Sequence, residues 1–224
     1  MLSAPHRSEA KSSPSIQHAK QAARLALIAI IGISYFFVAV VTLHFLRPDY
    51  DPVKRAVSNY AIGPYGFLMT TAFFALALSL FALALGLARR ITLSSRSRVG
   101  LRLLKVASVG MIVTGIFPGD LNGLYSFMPT VILHWLAAGV SFSSITVAAL
   151  LFCMHFKMEK EWRSFQRPSF ALALTVVVGL FAFSVLAFVG WFGIGQRIYI
   201  AVTLLWLFLV AVRLRYIATR KVPG

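Results

Sequence analysis

Acidic residues are scarce in this chain: six Asp and Glu stand among 224 residues. Cysteine is scarcer still. Cys153 stands alone, so no disulfide can form within the chain, and a small buried hydrophobe is the simplest reading of it. No Asp, Glu, Lys or Arg lies near the middle of any long apolar run. Proton pumps and ion-coupled carriers place an ionisable group there despite its cost, so their chemistry is disfavoured. No segment resembles an ion-selectivity filter, and no internal repeat supports the inverted halves of many transporters. A phosphate-binding loop, a nucleophile elbow and a His-Glu-x-x-His helix are absent too.

Hydrocarbon-compatible sequence makes up most of the rest. Apolar residues form 59% of the chain, charged residues 12%, and the mean hydropathy is +0.82. Soluble domains carry about twice that share of charge. A bilayer core about 30 Å thick takes about 20 apolar residues per helix. The pattern predicts an all-α polytopic membrane protein, a single bundle of six transmembrane helices. Expected spans are Leu25 to Phe45, Gly66 to Ala88, Leu103 to Phe117, Pro129 to Cys153, Ser169 to Trp191 and Ile198 to Val212. Residues 1–24 read as a polar, unstructured cytoplasmic tail, 25–213 as the membrane domain and 214–224 as a basic tail. The first run is too long for a signal-peptide core, and no small-x-small cleavage site follows it.

The net charge of +16 would suggest nucleic acid in a soluble protein, but here the basic residues flank the apolar runs. Lys and Arg number four, six, four and four in alternate segments, against three, none and one in the segments between. The positive-inside rule therefore places both termini in the cytoplasm. The expected partners are membrane lipids, with no nucleic acid, and the basic segments suit anionic headgroups.

Polar chemistry gathers at the opposite helix ends. The first outer loop carries His44, Arg47, Asp49, Asp51, Lys54, Arg55, Ser58 and Asn59; Asp120 follows the third span; His134 lies inside the fourth; and Gln196 and Arg197 open the sixth. Intramembrane ionisable groups generally face the bundle or a wet cavity, which makes His134 the first residue to consider. A structural hydrogen bond is its bland alternative, capping is that of Asp120, and loop ion pairs are that of Asp49 and Asp51. Together, Asp120, His134, Ser58, Asp49 and Asp51 form the candidate ligand-binding pocket. Their carboxylates and imidazole suit a divalent metal, but their spacing matches no metal motif, so cofactor and metal stay unassigned.

The block Leu46-Arg47-Pro48-Asp49-Tyr50-Asp51-Pro52, leading to Ser58-Asn59-Tyr60 and Gly63-Pro64-Tyr65-Gly66, resembles a six-helix membrane family catalogued as domain of unknown function 998. So does Gly115-Ile116-Phe117-Pro118-Gly119-Asp120 followed by His134. The resemblance runs from about Ala26 to Val212. It implies the six-helix architecture and points to Asp49, Asp51, Ser58, Pro118, Asp120 and His134, without supplying an activity. Alkaline ceramidases also gather Ser, Asp and His near one membrane face, but this chain lacks their closing His-x-x-x-His pair. The leading expectation is a plasma (inner) membrane protein that binds a lipid headgroup or small amphiphile at the extracytoplasmic helix ends. The alternatives are a lipid-modifying hydrolase with His134 as base and a carrier for an uncharged or amphiphilic substrate.

Overall fold

Inside hydrocarbon a peptide group finds no water, so each apolar run must satisfy its own backbone by becoming a helix. The computed structural model describes residues 14–119 and 128–220, and in that range the chain is helical without strands. The helices are α1 (Pro14–Leu46), α2 (Gly66–Ala88), α3 (Ser95–Ile116), α4 (Pro129–Phe156), α5 (Arg163–Phe188) and α6 (Phe192–Arg220). All six are long and apolar enough to cross a membrane. One 3-10 turn, Val57–Ala61, interrupts the link between α1 and α2.

Helix α2 has the bounds expected from hydropathy, whereas α1, α3, α5 and α6 begin before their apolar segments and α4 runs past the end of its own; α3 and α5 end before the expected Phe117 and Trp191. Hydropathy marks only the lipid-solvated stretch, and helical hydrogen bonding continues into water wherever good helix formers follow. Helix α1 shows this at its start, where Ile16-Gln-His-Ala-Lys-Gln-Ala-Ala-Arg24 is helical although it was expected to be unstructured tail. Ala19 and Ala22 are buried there, and Gln21 accepts a bond from Arg89 at the end of α2. The expected tail residues Met1–Ser13 lie outside the described residues, as do residues 120–127 and 221–224.

The helices form a ring in chain order: each packs on its sequence neighbours, α6 closes on α1, and contacts across the ring are few. Small residues set the spacing. A Cβ on Gly110 of α3 would lie 2.1 Å from Ser141 Oγ and 2.9 Å from Ala137 O of α4. A Cβ on Gly32 of α1 would lie 2.1 Å from Ser79 Oγ of α2. Such closeness replaces the hydrophobic drive that lipid cannot supply. Hydroxyls add bonds between helices: Ser108 Oγ of α3 donates to Ala77 O of α2 at 2.7 Å, and Tyr199 Oη of α6 reaches past α5 to Phe142 O of α4 at 2.8 Å. Cys153 is buried, with Sγ 3.1 Å from the Ser169 carbonyl.

Two faces result. On the tail face, the start of α1 meets the end of α2, and the chain just after α2 meets the end of α6 and the α4–α5 link; Arg90 donates to Ile217 O and pairs with Glu161 at 3.1 Å, and Arg213 donates to the Glu161 carbonyl. On the loop face lie the α1–α2 link and the turn into α6.

Candidate functional site

The loop face is capped by residues 47–65, and two arginines, one buried and one half-buried, fix that cap. Arg47 is 6% exposed. Its Nε and Nη2 each donate to the Asp49 carboxylate at 2.9 Å, and Nη1 donates to Ile62 O at 2.9 Å and Pro64 O at 3.3 Å. The chain's return to α2 is thereby fastened to the end of α1. This bidentate bond holds the Asp49 carboxyl below its ordinary range and raises the Arg47 guanidinium above its own. Burial pushes the Tyr50 phenol upward, and its hydroxyl donates to Ala56 O at 2.7 Å.

Arg197, in the first turns of α6, reaches the same cap. Its Nη1 donates to Pro52 O at 2.7 Å, Arg55 O at 2.9 Å and Gly193 O at 3.1 Å, while Nη2 donates to Tyr60 Oη at 3.3 Å. Only glycine at 193 permits this approach, since a Cβ there would stand 2.4 Å from both loop carbonyls. Gln196 adds an acceptor for Val57 N–H at 2.7 Å. Sequence reasoning noted Arg47, Gln196 and Arg197 but assigned none of them this fastening role. Their partners sit as far as 145 residues away, and no local pattern encodes them.

Of the five candidate pocket residues, Asp49 and Asp51 shape the cap. Asp49 is mostly exposed beyond its pair with Arg47, and Asp51 Oδ1 accepts the Val53 N–H at 2.9 Å. Ser58 is buried, and its Oγ has no hydrogen-bond partner among the described residues. His134 is fully buried, with Nδ1 2.6 Å from the Phe117 carbonyl. A carbonyl only accepts, so Nδ1 carries the proton and neutral His134 presents a bare Nε2. That atom is buried without a hydrogen-bond partner among the described residues. A Cβ on Gly119 would lie 3.3 Å from His134 Nε2 and 3.4 Å from Asn59 Oδ1, so α4, the end of α3 and the 3-10 turn converge there. Asp120 lies outside the described residues. Among the described residues no three of His, Cys, Asp and Glu gather as a metal-ligand group.

Two spaces lie beneath the cap. The first is a slender cavity of about 30 Å³ inside the ring, lined by residues of every helix but α5. Ser58, Thr114, Gln196, Tyr199 and Thr203 supply its few polar groups, Phe36, Met111 and Leu207 are among its apolar walls, and no charged side chain lines it. Its volume suits about two waters. The second is a groove of about 310 Å³ between α1 and α6, walled by Phe37, Val40, Val41, Phe45, Ala201 and Leu204, with His44 and Arg197 also lining it. Val57, Ile200 and Leu204 line both, so one thin partition separates groove from cavity.

The sequence model of a family described as Protein of unknown function (DUF998) matches residues 30–213, from within α1 to within α6. The chain belongs to the DUF998 family. No curated protein and no solved structure matches it. In this DUF998 protein the loop motif that carried the resemblance is the cap itself: Arg47 and Asp49 pair, Tyr50 buries, and the Gly63–Gly66 segment turns the chain into α2. Gly63 and Tyr65 both adopt left-handed backbone, at φ 82° and 61°. Glycine does this freely, whereas an aromatic side chain there is strained.

Proposed function

We propose that this protein binds a membrane amphiphile at its loop face, with the apolar chain in the α1/α6 groove and an anionic head beside Arg197 and His44. One observation carries the reading: a groove of about 310 Å³ facing the lipid shares its inner wall with the ring cavity and is lined by basic side chains and no acid. That volume lies in the range of small-molecule sites, roughly 300–1,000 Å³. Ser58 offers an unpaired hydroxyl to any head that reaches the cavity, and the Arg47–Asp49 pair and Asp51 keep the cap in place above it. The tail face is cytoplasmic in this reading because it carries most of the basic residues, and a plasma membrane is the home that fits.

The test is lipid retention. Ala201→Trp and Leu204→Trp fill the groove from α6 without touching the fastened arginine. Native mass spectrometry of protein extracted from membranes is expected to find a retained anionic lipid on the parent chain and to lose it in both variants. Equal retention in all three proteins sinks the proposal.

A second reading rests on the bare Nε2 of His134. A buried imidazole nitrogen with its other nitrogen tied to a carbonyl is arranged as a base, and Asp120 follows Gly119 directly in the chain. A loop-face lipid hydrolase would use this pair. His134→Gln and Asp120→Asn should then abolish turnover of a labelled lipid while leaving lipid retention intact; full turnover in both variants removes this alternative.

A further inference from the structure

The tail face holds a hydrogen-bonded series that the loop-face reading does not use. Ser94, His155 and Glu159 come from the α2–α3 link, the last turn of α4 and the link into α5. Ser94 Oγ lies 3.2 Å from His155 Nδ1, and His155 Nε2 lies 3.1 Å from Glu159 Oε1. The order of protons follows from the chemistry of each group. An ionised carboxylate only accepts, so Nε2 carries a proton and, in the neutral ring, Nδ1 is left bare. Ser94 Oγ already accepts the Ser97 N–H at 3.2 Å, and its own proton has two acceptors, His155 Nδ1 at 3.2 Å and Ser97 Oγ at 3.3 Å, of which the bare imidazole nitrogen is the stronger. Ser97 does not compete for the imidazole, because its hydroxyl donates to Thr92 O at 2.9 Å and accepts Ser94 N–H at 2.8 Å.

Helix capping accounts for the Ser94–Ser97 pair. It does not account for a 4%-exposed imidazole behind the hydroxyl with a carboxylate on its far nitrogen. Glu159 is itself held by Thr92 N–H at 2.6 Å, which fixes the orientation of the series. Ser94 is only half-buried and lines an open cleft of about 530 Å³ with Arg96 and the exposed Met158. A nucleophile, a base and an orienting acid in hydrogen-bond series are the parts of covalent acyl transfer.

We propose that Ser94, His155 and Glu159 form a serine-hydrolase site on the tail face, acting on carboxylic esters of amphiphiles whose acidic group meets Arg96. Ser94 Oγ attacks the ester carbonyl while its proton passes to His155 Nδ1. The tetrahedral intermediate collapses, the C–O bond to the alcohol breaks, and Nδ1 returns the proton to the departing alkoxide. Water then attacks the acyl-serine, giving its proton to Nδ1; the carboxylic acid leaves and the proton returns to Ser94. Ser95 and Arg96 supply the first N–H groups of α3, which no carbonyl within the helix reaches, for the oxyanion. Glu159 is a positioning residue.

The test uses full-length protein in nanodiscs, a fluorophosphonate probe, and two esters: p-nitrophenyl acetate and an anionic phospholipid in vesicles. The parent chain should take up one probe, mapped by peptide mass to Ser94, and cleave both esters. Ser94→Asn keeps a good helix cap and should lose labelling and turnover at an unchanged melting temperature. His155→Gln should slow labelling roughly 10²–10⁴-fold, the usual worth of a general base. Glu159→Gln still accepts the Thr92 N–H but lacks the charge, so it should slow turnover, with partial rescue in Glu159→Asp. An unlabelled parent chain, an adduct on another serine, or equal labelling in His155→Gln would overturn the assignment. Peptide mapping of the parent chain keeps the test decisive even where a variant misfolds. Cleavage of the soluble ester alone would refute the amphiphile part of the proposal. Because this site and the groove share no residue, lipid retention can fail without affecting this result.

Discussion

Replacing Gly110 by alanine tests whether close backbone approach holds α3 to α4. The new methyl would meet Ser141 Oγ at 2.1 Å and Ala137 O at 2.9 Å, where ordinary contact begins near 3.4 Å. Ser141 is not free to swing aside, since its hydroxyl donates to Ala137 O at 2.8 Å and Ala107 O at 3.2 Å. The helices must therefore part by several tenths of an ångström at least, an overpacking that costs typically 1–3 kcal/mol. Deleting the hydroxyl in Ser141→Ala costs about 0.6 kcal/mol alone, the mean for a hydrogen bond between membrane helices. The double variant removes the 2.1 Å clash and keeps the 2.9 Å one, so its loss should fall below the sum of the singles by roughly 1 kcal/mol, within the range for contacting residues. Reversible unfolding of purified protein in mixed micelles measures all four corners of this cycle. The same displacement should disturb the His134–Phe117 bond further along the α3/α4 seam, seen as a changed imidazole resonance by NMR. An additive cycle, or a Gly110→Ala protein as stable as its parent, would refute the packing argument.

Three further outcomes are expected. Arg47→Lys cannot keep the bidentate bond and both carbonyls together, so amide exchange across residues 57–65 should quicken while the helices stay protected. The folded-state Asp49 carboxyl titrates below its unfolded value; its contribution is therefore complete at neutral pH and is lost as pH falls below about 4 toward the folded value. The near-ultraviolet circular dichroism of the Tyr50–Tyr60 pair, whose rings are 4.4 Å apart, should weaken over that window in the parent chain but not in Asp49→Asn. At the tail face, Ser94→Ala should lower stability by about 1 kcal/mol through loss of the α3 cap, whereas Ser94→Asn, an equally good cap, should leave it unchanged, both measured by thermal unfolding.

Hydropathy alone made the number of crossings and the position of α2 legible, because transfer from water to lipid is a sum over residues in a local window. The mixed charge of the first loop also made the Arg47–Asp49 pair legible as one of its bland alternatives. The meeting of residues distant in the chain was not legible. Arg197 fastening the cap, His134 turning one nitrogen to Phe117, and Ser94 meeting His155 across 61 residues all depend on how each helix is rotated about its axis. These helices are apolar nearly all round, so their sequences carry no strong stripe to set that rotation. Steric fit at glycines and serines sets it instead, and that fit exists only between two surfaces. Sequence by itself therefore determined that this chain lives in hydrocarbon and how often it crosses. Only the packed ring decided which of its few polar side chains meet, because lipid solvates each helix alone as well as it solvates the bundle.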